Sequence, residues 1–220
     1  MLILGLTGSI ASGKSSAAAQ LRRLGVPVHD ADAAVHALTA RGGKAIPAID
    51  AAFPGVISPD GVLDRGRLGA IVFADQAALK RLEAILHPLV IQARDRFLRR
   101  WARAGAALVA LDIPLLFEVD MDKSCDLTVT LTVPTRVQEA RVLRRPGMTR
   151  ARLAGIRARQ LPDREKARLA DIAIPSGAGK RPVLQALRSI VRLKPVRPGR
   201  KRRWPPGPLP RYDSKPRKSA

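Results

Sequence analysis

The chain has 220 residues, 46% of them hydrophobic, and carries a formal net charge of +22. That length fits one α/β domain with an insertion, or two small domains. No apolar run approaches the ~20 residues that span a bilayer, and the single Cys125 excludes an intrachain disulfide and a cysteine zinc cluster. The apolar N-terminus has no basic segment before it, which argues against a signal peptide. A soluble, cytoplasmic protein is expected. Aromatic residues make up only 3% of the chain, so its core must be built from Ala, Val, Ile and Leu.

Leu2–Thr7 reads as a short, buried first strand. Gly8-Ser9-Ile10-Ala11-Ser12-Gly13-Lys14-Ser15 follows it and meets G-x-x-x-x-G-K-[ST], the phosphate-binding loop, at every required position. Ser16 to Leu21 reads as the start of a helix. Each residue type has a role in that context. Gly8 and Gly13 permit a tight turn and close approach of backbone to phosphate. Amides at the helix start point at an anion, and the helix dipole favours negative charge there. Lys14 reaches the outer phosphates, and Ser15 offers a hydroxyl to Mg²⁺. The expected nucleotide site comprises Gly8, Ala11, Ser12, Gly13, Lys14, Ser15 and Ser16.

Further strands are expected at Val26–Asp30, Ala107–Asp112, Leu127–Val133 and Asp171–Ile174. Their alternation with helical patterns predicts a parallel sheet with helices on both faces. Between Ala31 and Gly105 the pattern changes to consecutive helices: Ala33–Leu38, Lys44–Phe53, Arg65–Phe73, Ala77–Leu86 and Leu89–Ala104. This predicts a helical insertion, 31–105, at the carboxyl edge of a core formed by 1–30 and 106–193. Helices Arg136–Leu143 and Thr149–Gln160 meet at Arg144-Arg145-Pro146-Gly147, a turn that presents two arginines. Helix Arg181–Leu193 closes the fold.

From Lys194 onward there are ten Lys and Arg against one Asp, or +9, which leaves +13 on residues 1–193. With seven prolines in its 27 residues, the segment 194–220 is expected to be disordered. Weak binding of polyanions such as RNA is one reading of it, and a solubilising extension with no partner is the other.

Several segments taken in order carry a more specific signal. They are Val28-His29-Asp30-Ala31-Asp32, Leu63-Asp64-Arg65, Leu82 to Pro88, Asp112-Ile113-Pro114-Leu115-Leu116-Phe117-Glu118, and Gln138-x-x-Arg141-x-x-x-Arg145. Together with the phosphate loop they resemble the dephospho-CoA kinases over about residues 2–190. The resemblance implies a nucleotide-kinase-like three-layer fold with a helical CoA-binding region and a lid at about 136–160. It implies transfer of phosphate from ATP, with Mg²⁺, to the ribose 3′-hydroxyl of dephospho-CoA. The family usually has glycine where this chain has Ser9 and Ala11, and I-x-N-x-G where it has Ile174-Pro175-Ser176-Gly177-Ala178, a segment expected near adenine.

Phosphoryl transfer needs charge neutralisation and in-line positioning. Lys14 serves the first need, and Arg145 is expected to add a guanidinium from the lid. Arg144 competes with it on sequence alone, and the resemblance favours Arg145. Asp32 is the expected general base, with helix capping as the alternative use of Asp30 or Asp32. Asp112 ends an apolar strand and is expected, with Ser15, to hold Mg²⁺. Pro114, Leu115, Leu116 and Glu118 are expected to line the acceptor site. Arg65 is expected to meet CoA phosphate, with Arg67 and Arg81 as competitors. His87 is placed either at the acceptor or at the start of a helix opened by Pro88. Two rival functions fit the loop: a nucleoside or nucleotide kinase with another acceptor, and a nucleic-acid-associated NTPase.

Overall fold

The computed structural model describes residues 1–193; the expected tail at 194–220 lies outside them. The chain divides into two compact units, Met1–His29 with the chain from Trp101 onward, and Asp30–Arg100.

The first unit is built on a five-stranded sheet of order β2-β3-β1-β4-β5. Its strands are β1 (Leu2–Gly8), β2 (Val28–Asp30), β3 (Leu108–Asp112), β4 (Leu127–Thr132) and β5 (Ile172–Pro175). β1 is parallel to both β3 and β4, with Leu6 opposite Asp112 and Gly8 opposite Leu131. β5 runs parallel to β4. β1 is a continuous apolar run because neighbouring strands flank it and its side chains are buried on both faces. α1 (Lys14–Arg23) packs Ala17, Ala18 and Leu21 onto the sheet. α9 (Lys180–Leu193) adds Val183, Leu187 and Ile190 to the same aliphatic core. The chain crosses from β1 to β2 on one side of β1 and from β3 to β4 on the other, so the order reverses there. The carboxyl end of β1 is therefore where an open α/β sheet binds its ligand.

α6 (Thr135–Leu143), α7 (Arg150–Arg157) and α8 (Asp163–Leu169) lie between β4 and β5. α7 ends three residues before the expected Gln160. α8 was not among the expected helices, because one buried side chain, Lys166, gives it no apolar period. Its signal was electrostatic: Pro162 before it, Asp163 and Glu165 in its first turn, Lys166 and Arg168 in its last.

The second unit is helical: α2 (Ala31–Leu38), α3 (Ile46–Ala52), α4 (Arg65–Ala74) and most of α5 (Gln76–Arg103). It has its own core, with Leu38, Ile49, Phe53, Val56, Leu63 and Leu68 buried together. One expectation is corrected here. The helices read as Ala77–Leu86 and Leu89–Ala104 are a single helix, with Pro88 inside it. Pro88 removes one backbone hydrogen bond and costs about 3 kcal/mol. Leu82, Ile85, Leu86 and Leu89 nevertheless pack against one core at i, i+3, i+4 and i+7, and that unbroken stripe outweighs the local cost. Among the described residues no helix is long and apolar enough to cross a membrane.

Candidate active site

β1 runs into a loop that ends at Gly13, the residue before α1. Gly13 has φ 92, a left-handed conformation that side chains resist. A Cβ on Gly8 would collide with Ser12 Oγ, so the loop closes tightly only over glycine. No side chain caps α1, which leaves its first amides for a ligand. Ser12 is fully buried, and its hydroxyl has no hydrogen-bond partner. A buried orphan hydroxyl beside uncapped amides fits a phosphate.

Three successive loop carbonyls accept hydrogen bonds from side chains. Gln138 Nε2 donates to Ile10 O at 3.0 Å, Arg141 Nη1 to Ala11 O at 3.2 Å, and Ser176 Oγ to Ser12 O at 2.5 Å. Arg141 Nη2 also donates to Ser176 O at 3.3 Å. Ser176 is 4% exposed and also lies 3.1 Å from Thr132 O, so the residue that departs from the family pattern joins the ends of β4 and β5 to the loop. Ala11 sits at φ 58, left-handed for a residue with a Cβ. That strain costs ~1–2 kcal/mol, partly offset by the smaller unfolded-state entropy of alanine. Ala11→Gly is therefore expected to raise stability by up to ~1 kcal/mol with activity retained. A thermal melt measures it, and a lower Tm in the variant refutes the strain.

Lys14 Nζ lies 2.7 Å from Asp112 Oδ1 across the strand ends. Asp112 is 2% exposed. Its carboxylate and the Ser15 hydroxyl are a hard oxygen donor set of the kind that suits Mg²⁺. After β3, Pro114 O accepts from Thr7 Oγ1 at 3.0 Å and from Lys166 Nζ at 2.9 Å. Lys166, fully buried, also pairs with Glu118 Oε1 at 2.8 Å, and that oxygen accepts from Leu161 N at 2.8 Å. Glu118 therefore has internal partners, and Leu116 is fully buried. Pro114 and Leu115 are half-buried. Arg144 and Arg145 are exposed where α6 ends, at the turn through Gly147.

In the helical unit Asp30 Oδ1 accepts from Ala33 N at 2.9 Å and caps α2. The helix starts at Ala31, two residues before the expected Ala33, so Asp32 lies in its first turn and does not cap it. Asp32 instead lines a cavity of about 400 Å³ with His36, Thr39, Arg65 and an apolar wall including Leu68, Val72 and Leu86. Arg65 Nη2 donates to Thr39 Oγ1 at 3.2 Å on that wall. Arg67 is bound to Gly55 O, and Arg81 lies over the Phe53 ring, so neither competitor joins Arg65 in the cavity.

His87 is inside α5 and is not among the residues lining that cavity. Burial pushes its pKa below the ordinary value of 6.5, and the nearby Glu83 carboxylate pulls it back in part. The unfolded chain thus binds the proton more tightly than the folded one. His87 contributes no penalty above about pH 6.5, and stability falls as the pH drops below it. His87→Gln is expected to flatten this part of the stability profile between pH 7 and 5. Identical pH dependence in both proteins, read by denaturant unfolding, refutes the assignment.

Comparison with known proteins places this geometry in context. Residues 2–180 match the family model described as dephospho-CoA kinase. A dephospho-CoA kinase from Paramagnetospirillum magneticum is 64% identical over 166 residues, covering 76% of this chain and 78% of the relative. One from Rhodospirillum rubrum is 52% identical over 203 residues, covering 92% and 95%. A crystal structure from Thermus thermophilus superposes with a TM-score of 0.74 at 35% identity, covering 87% of this chain and 96% of that one.

Proposed function

The chain belongs to the dephospho-CoA kinase family, and we propose that it transfers the γ-phosphoryl group of ATP to the ribose 3′-hydroxyl of dephospho-CoA through the residues described above. The family match over residues 2–180, on a chain with a complete phosphate loop, carries this reading.

ATP binds with its phosphates in the loop from Gly8 to Ser16. The loop amides, the start of α1 and Lys14 take up their charge. Lys14, whose ammonium lies 2.7 Å from Asp112 Oδ1, meets the outer phosphates. Ser15 and Asp112 would hold Mg²⁺, which when bound supplies charge neutralisation at the phosphate oxygens. Arg145, exposed at the α6 turn, adds its guanidinium to the transferring group. Dephospho-CoA places its ribose at Asp32, and Arg65 in the same cavity meets acceptor phosphate. Asp32 orients the 3′-hydroxyl and takes its proton as the new P–O bond forms. Pro114 and Leu115 border the acceptor from the loop after β3. Leu116 and Glu118 act indirectly, by keeping that loop in shape.

A coupled ADP-release assay across acceptors tests this. Dephospho-CoA is expected to give rapid ADP release and a product carrying one new 3′-phosphate. Adenosine, AMP and shikimate are expected to stay near the acceptor-free background. A preference for any of those three overturns the reading in favour of another phosphate-loop kinase.

A further inference from the structure

Ile10 is held through both of its backbone groups, which belong to the two peptides on either side of its Cα, by side chains far along the chain. Its carbonyl accepts from Gln138 Nε2 at 3.0 Å, and its N–H donates to Gln160 Oε1, also at 3.0 Å. Gln138, 6% exposed, turns its own carbonyl oxygen to Arg157, whose Nη2 and Nε donate at 2.6 and 3.2 Å. Arg157 Nη1 adds Glu139 Oε1 at 2.7 Å. Arginine can only donate, so it fixes which end of the Gln138 amide faces the loop. The Ile10 N–H likewise fixes the oxygen of Gln160 as its partner.

From this pairing we infer that Gln160 and Gln138 are positioning residues for ATP. They clamp the two successive peptides that meet at Ile10 in the phosphate loop, and Arg157 on α7 ties that clamp to Gln138 and Glu139 on α6. Neither glutamine has to touch the nucleotide. A phosphate loop works through the directions of its amides, and peptides free to rotate on either side of Ile10 would disturb those that follow. The hydrogen bonds at Ile10 remove that freedom.

The two glutamines use their amides differently, and this gives the inference an asymmetric test. Gln160 contributes only an acceptor, which glutamate reproduces. Gln138 must donate to Ile10 O while accepting from Arg157, and glutamate cannot do both. The inference rests on the loop being the ATP site, so ATP binding to the wild-type protein is measured first by calorimetry. No binding there overturns the functional reading itself. If binding is seen, Gln160→Leu is expected to weaken ATP affinity and to lower kcat/KM for ATP by about tenfold. The KM for dephospho-CoA should hold within about twofold. Gln160→Glu should restore wild-type values, whereas Gln138→Glu should be as impaired as Gln160→Leu. Circular dichroism and melting checks accompany each variant, and the Gln160 pair decides the matter if Gln138→Glu does not fold. Wild-type ATP affinity in Gln160→Leu, or equal damage in Gln160→Glu, overturns the inference.

Discussion

Lys14→Ala is expected to lower kcat/KM by at least ~10²–10³-fold, the scale of losing one preorganised charge at a transferring group. Lys14 opens α1 directly after the left-handed Gly13, and its ammonium lies over the strand ends at Asp112. A lysine there has phosphate as its natural second partner. The structure adds a consequence for stability. Removing the ammonium takes a partner from a carboxylate that is 2% exposed. Losing the partner of a buried charged group costs ~1–3 kcal/mol, so Tm should fall although the fold persists. Lys14→Ala combined with Asp112→Asn should recover much of that Tm by neutralising the carboxylate, while activity stays lost. Melting curves and initial rates on the single and double variants separate the two effects. Turnover near wild type in Lys14→Ala would sink the phosphate-site assignment.

The parts of the molecule legible in the sequence are those whose signal is local. Gly8 to Ser15 is a contiguous motif whose strand-before, helix-after setting can be read from its neighbours. The apolar run of β1 gave a central strand because burial on both faces leaves no alternation to confuse. Pro88 was misread because a local rule, proline at a helix start, competed with a tertiary one, the apolar stripe of α5. Asp32 was named as the base on its strand-end position and the resemblance, but the cap stayed open between Asp30 and Asp32, since either carboxylate can cap. The choice depended on where α2 begins, and helix ends are the least legible boundaries. Glu118 was read as a site residue because it stands in a segment shared with the family; its pairing with Lys166, 48 residues away on an unexpected helix, left no local signal. Gln160 had no signal of its own. Its acceptor contact joins residues 150 positions apart, and no periodicity or motif records such a pairing.

Asp32→Asn is expected to reduce kcat by at least ~10²-fold, at the low end of what a positioned base contributes. ATP affinity should stay within a few-fold, because Asp32 is not a residue of the phosphate loop. The transition state of phosphoryl transfer is loose, so part of the loss comes from orienting the hydroxyl rather than from early deprotonation. Asparagine keeps the size and some hydrogen bonding but removes the charge and basicity, which makes it the informative replacement. The structure supplies the control. Asp30, two residues earlier, carries the cap of α2 through Ala33 N. Asp30→Ala should cost about 1 kcal/mol of stability through the lost cap, with a smaller effect on kcat. Asp32→Asn should show the reverse, a large kinetic loss with little change in Tm. Should kcat survive in Asp32→Asn, the carboxylate beside Arg65 is not the base, and the proton must leave through Asp30 or bound water.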